Sequence, residues 1–185
     1  MDANPISYDG SATQEYFRVI REHVIQPLQS TAMSESCFGS AMLIFAAVDG
    51  LGTLTHPDEH AKAGVRFKAF LPRIGADYQA RAKELWRLRN ALVHSAMNVA
   101  SFMSKREEAW AEHLQKEHGF LFLHTKTLLE DFRTSVDQLE QEVRRDAALL
   151  GRMESRLEWG CIDPWRNVRA TSTSPPAVGF VHHRR

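Results

Sequence analysis

Cysteine is almost absent: the 185 residues contain only Cys37 and Cys161, far apart and in no CxxC pair. That argues against a disulfide framework and a structural zinc site, and it fits a reducing, cytoplasmic setting. Net charge is lacking too, with 23 basic residues against 23 acidic ones, so overall charge gives no pull toward nucleic acid. No stretch approaches the ~18 uninterrupted apolar residues of a membrane span. The opening MDANPISYDGS is acidic and polar, unlike a signal peptide. There is no internal repeat, no glycine-rich phosphate loop and no paired-acid metal motif. His56, His60, His113, His118 and His124 are scattered and read as surface residues, so no metal or cofactor is expected.

What the chain does have is apolar residues at helical spacing, in a length that suits one domain with a self-sufficient core. Residues 1–11 read as a loose leader. Tyr16, Phe17, Ile20, Val24 and Leu28 predict a helix over 12–29 that Pro27 kinks or ends. Residues 35–50 are apolar almost all round, as suits the centre of a bundle. Ser34 or Ser36 is positioned to cap that helix, and Gly50 and Gly52 read as its stop. A connection covers 55–64, and a short helix over Val65–Leu71 is ended by Pro72. A long helix over 76–97 follows. GFLFLHT, 119–125, reads as a strand whose partner lies in EAWAEHLQ, 108–115. A last helix spans 126–157, with Thr127 and Glu130 at capping-box spacing. The reading is an all-α antiparallel bundle of about five helices with a small β-hairpin insertion. The domain covers 12–160, and 161–185 forms a basic tail containing Pro and Ser.

Local charge is uneven. Residues 62–89 hold eight basic side chains, Arg66, Lys68, Arg73 and Arg87 among them, against only Asp77 and Glu84. In this basic stretch the RNALVH segment begins, Arg89 to His94. At about 100° per residue, Leu85, Leu88, Leu92 and Ala96 form one stripe, and Asn90 and His94 share a nearly opposite face. Arg89 falls between apolar edges, where a guanidinium needs a counter-charge. Asp49 ends the apolar second helix on the face of Met42 and Phe45, and an Arg89–Asp49 contact is expected. The other reading has Asp49 facing solvent at the helix end beside Gly50.

On these residues the chain resembles the HEPN superfamily (higher-eukaryote and prokaryote nucleotide-binding domains). Its members are helical bundles carrying Arg-x(4–6)-His on a late helix, often with a polar residue after the Arg. Arg89-Asn90-Ala91-Leu92-Val93-His94 matches in order and spacing. The preceding LWRL, the following Ser95 and the acid closing AAVDGLG also look typical. The resemblance spans about residues 12–157 and departs from the smaller members near 107–124. It implies a metal-independent endoribonuclease of the toxin or defence kind, acting as a homodimer with the two motif helices at a shared cleft. Carried over, His94 is the general acid or base for 2′-hydroxyl attack on the adjacent phosphodiester, a role that suits an imidazole near neutral pH. Arg89 stabilises charge on the phosphate, Asn90 orients His94 or the phosphate, and Asp49 and Ser95 support them. Arg66, Lys68, Arg73 and Arg87 attract the RNA backbone. An inhibitory or antitoxin protein is a further implied partner.

Geometry adds a requirement. Residues five apart on a helix project about 140° from each other. One phosphate meets both Arg89 and His94 if the arginine bends round, the helix distorts, or a partner subunit supplies one group. The alternative function is a non-catalytic RNA-binding or protein-interaction module, in which Arg89 and Asp49 are a structural pair.

Overall fold

The computed structural model describes residues 7–30, 37–95, 101–104 and 111–158. The chain folds as a helical bundle with one small sheet. Ala12–Ile20 (α1) starts at Ser11, whose side chain accepts from Gln14 N at 3.1 Å. Glu154 from the far end of the chain adds a second cap, accepting from Thr13 N at 2.6 Å and Ala12 N at 3.2 Å. The supposedly loose leader is anchored from Tyr8 onward: this side chain is buried, its hydroxyl donates to Glu140, and the Arg144 guanidinium lies 4.0 Å from its ring centroid.

Pro27 does not end the first helix. The chain passes through a π-helical turn, Arg21–Ile25, into Gln26–Gln29 (α2). The wider turn falls where the proline ring would crowd the His23 carbonyl four residues back.

Cys37–Thr55 (α3) is the central helix. By length and composition it could cross a membrane, but here helices pack along it and Ala41, Ile44, Phe45, Val48 and Leu51 are fully buried. Its expected caps, Ser34 and Ser36, lie outside the described residues. Gly50 and Gly52 do not stop it. A Cβ on Gly52 would stand 2.6 Å from the Arg66 carbonyl oxygen, and one on Gly50 would stand 2.5 Å from the Tyr16 hydroxyl. Gly52 permits a close helix crossing, and Gly50 makes room for the tip of the Tyr16 side chain. Ala63–Ile74 (α4) is the neighbour at Gly52, and it runs through Pro72 rather than ending there. Phe67 of α4 meets Phe45 edge to face at 5.9 Å. The expected long helix is two, Ala76–Ala80 (α5) and Ala82–Ser95 (α6). They are broken at Arg81, where φ is −102° and ψ is 17°.

The sheet has the order β1-β3-β2. Ser101–Ser104 (β1) pairs in parallel with Phe120–His124 (β3), and Lys116–Glu117 (β2) pairs antiparallel with it. The strand at 119–125 is where the sequence placed it, but its antiparallel partner, Lys116–Glu117, follows the expected 108–115 instead of lying in it. Leu114 N donates to Phe122 O, and Phe122 N to Gln115 O, each at 2.8 Å. The parallel strand was not expected. His118 (φ 48°) and Gly119 (φ 87°) form the tight connection, both left-handed as a two-residue hairpin turn requires.

Thr125–Val143 (α7) is capped by His124, whose Nδ1 accepts from Thr127 N at 3.4 Å. Thr127 lies inside the helix, so the expected capping box is absent. The last helix is also two. Ala147–Glu158 (α8) starts afresh at Asp146, whose Oδ1 accepts from Ala148 N at 2.9 Å and Leu149 N at 3.0 Å.

Candidate functional site

Three turns of α6 sort the motif. Leu85, Leu88 and Leu92 are buried against the core, while Arg87, Val93 and His94 are exposed. Ala96 lies outside the described residues, as does the side chain of Ser95.

Arg89 is the hub. Its Nη2 pairs with Asp49 Oδ2, and the two side chains retain only 13% and 20% of their exposure. The Arg89–Asp49 contact is thus present and largely shielded. Nη1 donates to Asn90 Oδ1 at 3.1 Å and meets His94 Nε2 at 3.3 Å. Of the three ways to bring groups five apart together, the chain uses the bend of the long arginine. A guanidinium has no acceptor atom, so His94 Nε2 must accept, which puts the proton of the neutral ring on Nδ1. The Arg89 side chain lies against Trp86, 5.2 Å from the ring centroid. Trp86 is in turn fixed by Phe67 at 5.4 Å, and Gly64 leaves room for the indole, since a Cβ there would come within 2.9 Å. The hub is not saturated: Arg89 Nε and Asp49 Oδ1 are buried without a hydrogen-bond partner.

The arrangement gives a fixed cation, an imidazole within reach of it, and an amide joining the same nitrogen. Such a set can bind an anionic oxygen and move a proton beside it. Apolar surface adjoins it on the chain: Phe38 and Met42, 45% and 42% exposed, lie on the α3 face that carries Asp49, and Val93 precedes His94.

The other expected RNA contacts are dispersed. Arg73 is held by Glu142, with a second contact at 3.2 Å. Arg66 donates to the Glu59 carbonyl at 3.3 Å. Lys68 is half-buried and Arg87 exposed. None of these four touches the Arg89 hub.

Two histidines read as surface residues are not. His124 is buried and His113 mostly so. His124 N donates to His113 Nδ1 at 3.0 Å, so the neutral His113 ring carries its proton on Nε2 and donates to the Tyr78 hydroxyl at 2.8 Å. That hydroxyl donates to Asp131 Oδ2 at 2.8 Å. Burial, with the His124 charge second, pushes the His113 pKa down to about 4. Burial raises Asp131, and burial with the Asp131 carboxylate raises Tyr78. Tyr78 was not singled out, although it precedes Leu85 by seven residues, the spacing of one helical stripe. His124 was not legible, because strand alternation turns it outward after the buried Leu123 while the helix start draws it in.

Among the described residues no group of three or more His, Cys, Asp or Glu side chains is placed to hold a metal ion. No protein-family model, curated protein or solved structure matches the chain.

Proposed function

We propose that this protein is a metal-independent endoribonuclease of HEPN type, working as a homodimer. The observation that supports it best is the single guanidinium that joins Asp49, Asn90 and His94, with the imidazole at the surface. In this reading the phosphate of an RNA strand takes the place of His94 at Arg89 Nη1. His94 Nε2, released with its lone pair, accepts the proton of the 2′-hydroxyl. The 2′-oxygen forms a bond to phosphorus, and the bond from phosphorus to the 5′-oxygen breaks. A proton donor, the second subunit's motif or water, protonates the leaving oxygen. Products are a 2′,3′-cyclic phosphate and a 5′-hydroxyl. Arg89 stabilises the charge that grows on the phosphoryl oxygens, and Asp49 keeps it in place. The exposed Phe38, Met42 and Val93 suit a second copy's surface better than water. A cytoplasmic setting and an inhibitory or antitoxin partner belong to the same reading.

One observation favours the non-catalytic alternative: the guanidinium is shielded and already engaged by three protein groups. The assay that separates the two is cleavage of single-stranded RNA in excess chelator. Catalysis predicts cyclic-phosphate ends that disappear in Arg89→Ala and in His94→Ala. Binding without any cleavage by the folded wild type selects the alternative.

A further inference from the structure

The Arg89–Asp49 pair is a one-point contact. Nη2 donates to Oδ2, while Asp49 Oδ1 and Arg89 Nε are buried without a hydrogen-bond partner. Two-point pairing with a carboxylate fixes the plane of a guanidinium. A single hydrogen bond lets it swivel. Nη1 is held by Asn90, the next residue in the chain, at 3.1 Å and by the exposed His94 at 3.3 Å. The second of these is the contact that a bound phosphate displaces. After that, one carboxylate oxygen and one amide are the polar holds left on the guanidinium among the described residues.

Trp86 supplies the missing constraint. It lies one turn before Arg89, i to i+3 on α6, and the Arg89 Cζ stands over its ring, 5.2 Å from the centroid. A π face attracts a cation electrostatically and spends none of the N–H groups that recognise oxygens. The indole is itself held. Phe67 packs on it at 5.4 Å and 51°, and the Gly64 backbone comes so close that a Cβ there would stand 2.9 Å from Cε2 and 3.0 Å from Cζ2. Phe67 meets Phe45 edge to face, and Phe45 precedes Asp49 by one turn of α3. The contacts close on themselves: Asp49, Arg89, Trp86, Phe67 and Phe45 tie α3, α6 and α4 into one frame around the guanidinium.

We propose that Trp86 is a positioning residue: its indole, packed against Phe67 and Gly64, sets the plane of the Arg89 guanidinium and so aims Nη1 at His94. The consequence for catalysis rests on the ribonuclease reading, in which the same aim presents Nη1 to the phosphate; the geometry does not rest on it. A second carboxylate would fix the plane as well, but it would occupy donors and repel the phosphate. An aromatic ring does neither.

The test reads the hub in the full chain without RNA, by nitrogen NMR of His94. The quantity is the share of the neutral ring that carries its proton on Nδ1, the tautomer that lets Nε2 accept from Arg89. Arg89→Ala defines the share without the contact. Trp86→Leu keeps apolar bulk but removes the π face, and should bring the share to the Arg89→Ala value. Trp86→Phe keeps a ring and should stay near the wild type. Gly64→Ala leaves every residue of the hub in place, suits the first turn of α4 better than glycine does, and crowds the indole; its share should fall between. An unchanged share in Trp86→Leu, or a wild-type share equal to that of Arg89→Ala, overturns the proposal. If Trp86→Leu does not fold, Gly64→Ala takes its place in this comparison. Single-turnover RNA cleavage should fall by about tenfold or more in Trp86→Leu, as misplacing a catalytic group does, and Trp86→Phe should restore most of the rate. Full cleavage by Trp86→Leu also overturns the proposal. A wild type that cuts no RNA ends the ribonuclease reading, and the tautomer comparison then decides the role of Trp86 by itself.

Discussion

At the residue scale, Asp49 and His94 contact the same guanidinium with opposite consequences for stability. Asp49 is the shielded counter-charge of Arg89, and removing it leaves a cation with few substitutes. Asp49→Ala should cost about 1–3 kcal/mol in denaturant unfolding, less than for a fully buried pair because solvent retains some access. His94 is exposed, and His94→Ala should fall within about 0.5 kcal/mol of the wild type. Equal losses in the two variants would contradict this division. The Arg89–Asp49 pair was legible because a charge between two apolar stripes must find a partner. That Arg89 also reaches His94 was not, since helical projection says nothing of how a long side chain folds back. His113 gives a pH test. Its pKa is about 4 in the folded protein against 6.5 for the free side chain, so the unfolded chain binds the extra proton between those values. The contribution of neutral His113 is whole above pH 6.5 and is lost as pH falls toward 4, by up to about 3 kcal/mol. Wild-type stability should therefore fall more steeply than that of His113→Gln across that window. Parallel pH profiles would rule out the buried His113–Tyr78–Asp131 chain as its cause.

At the element scale, glycine carries two meanings that a single sequence does not separate. Gly50 and Gly52 look like a helix stop, yet α3 continues to Thr55, and each glycine instead makes room for a neighbouring group. At Gly52 the obstacle is backbone, the Arg66 carbonyl, which cannot swing aside. Gly52→Ala should thus destabilise by about 1–3 kcal/mol despite alanine's better helix propensity of about 1 kcal/mol. At Gly50 the obstacle is the tip of Tyr16, so Gly50→Ala should cost less. If thermal melts show Gly52→Ala stabilised, the crossing is not tight. The break between α7 and α8 was hidden for a different reason. Val143 and Leu150 are seven residues apart and both buried, so the apolar stripe keeps its phase across a break that only the Asp146 cap reveals. The parallel β1 strand was illegible because four residues, SFMS, carry too little alternation to stand out.

At the scale of the whole molecule, the apolar periodicities were sufficient for an all-α bundle with a small sheet insertion, since burial of one face per helix dominates the fold. The site is a different matter. Its members lie 40 residues apart, at Asp49 and Arg89, and only packing of α6 on α3 unites them. A homodimer through the Phe38, Met42 and Val93 surface should run in light scattering at twice the 21.1 kDa chain mass. Met42→Glu should shift it toward the monomer, because burying a carboxylate at an apolar contact is costly. A wild type that stays monomeric at high concentration removes the shared cleft from the account.

The central claim is that Arg89 and His94 act together on one phosphodiester. Its most direct measurement is the single-turnover RNA cleavage rate in excess chelator for the wild type, Arg89→Ala, His94→Ala and the double variant. Groups acting as one unit give losses that do not add. Each single variant should lose about a hundredfold or more, as removal of an acid–base group or a charge stabiliser does, and the double variant should be little worse than either. Cleavage retained in His94→Ala would contradict the account.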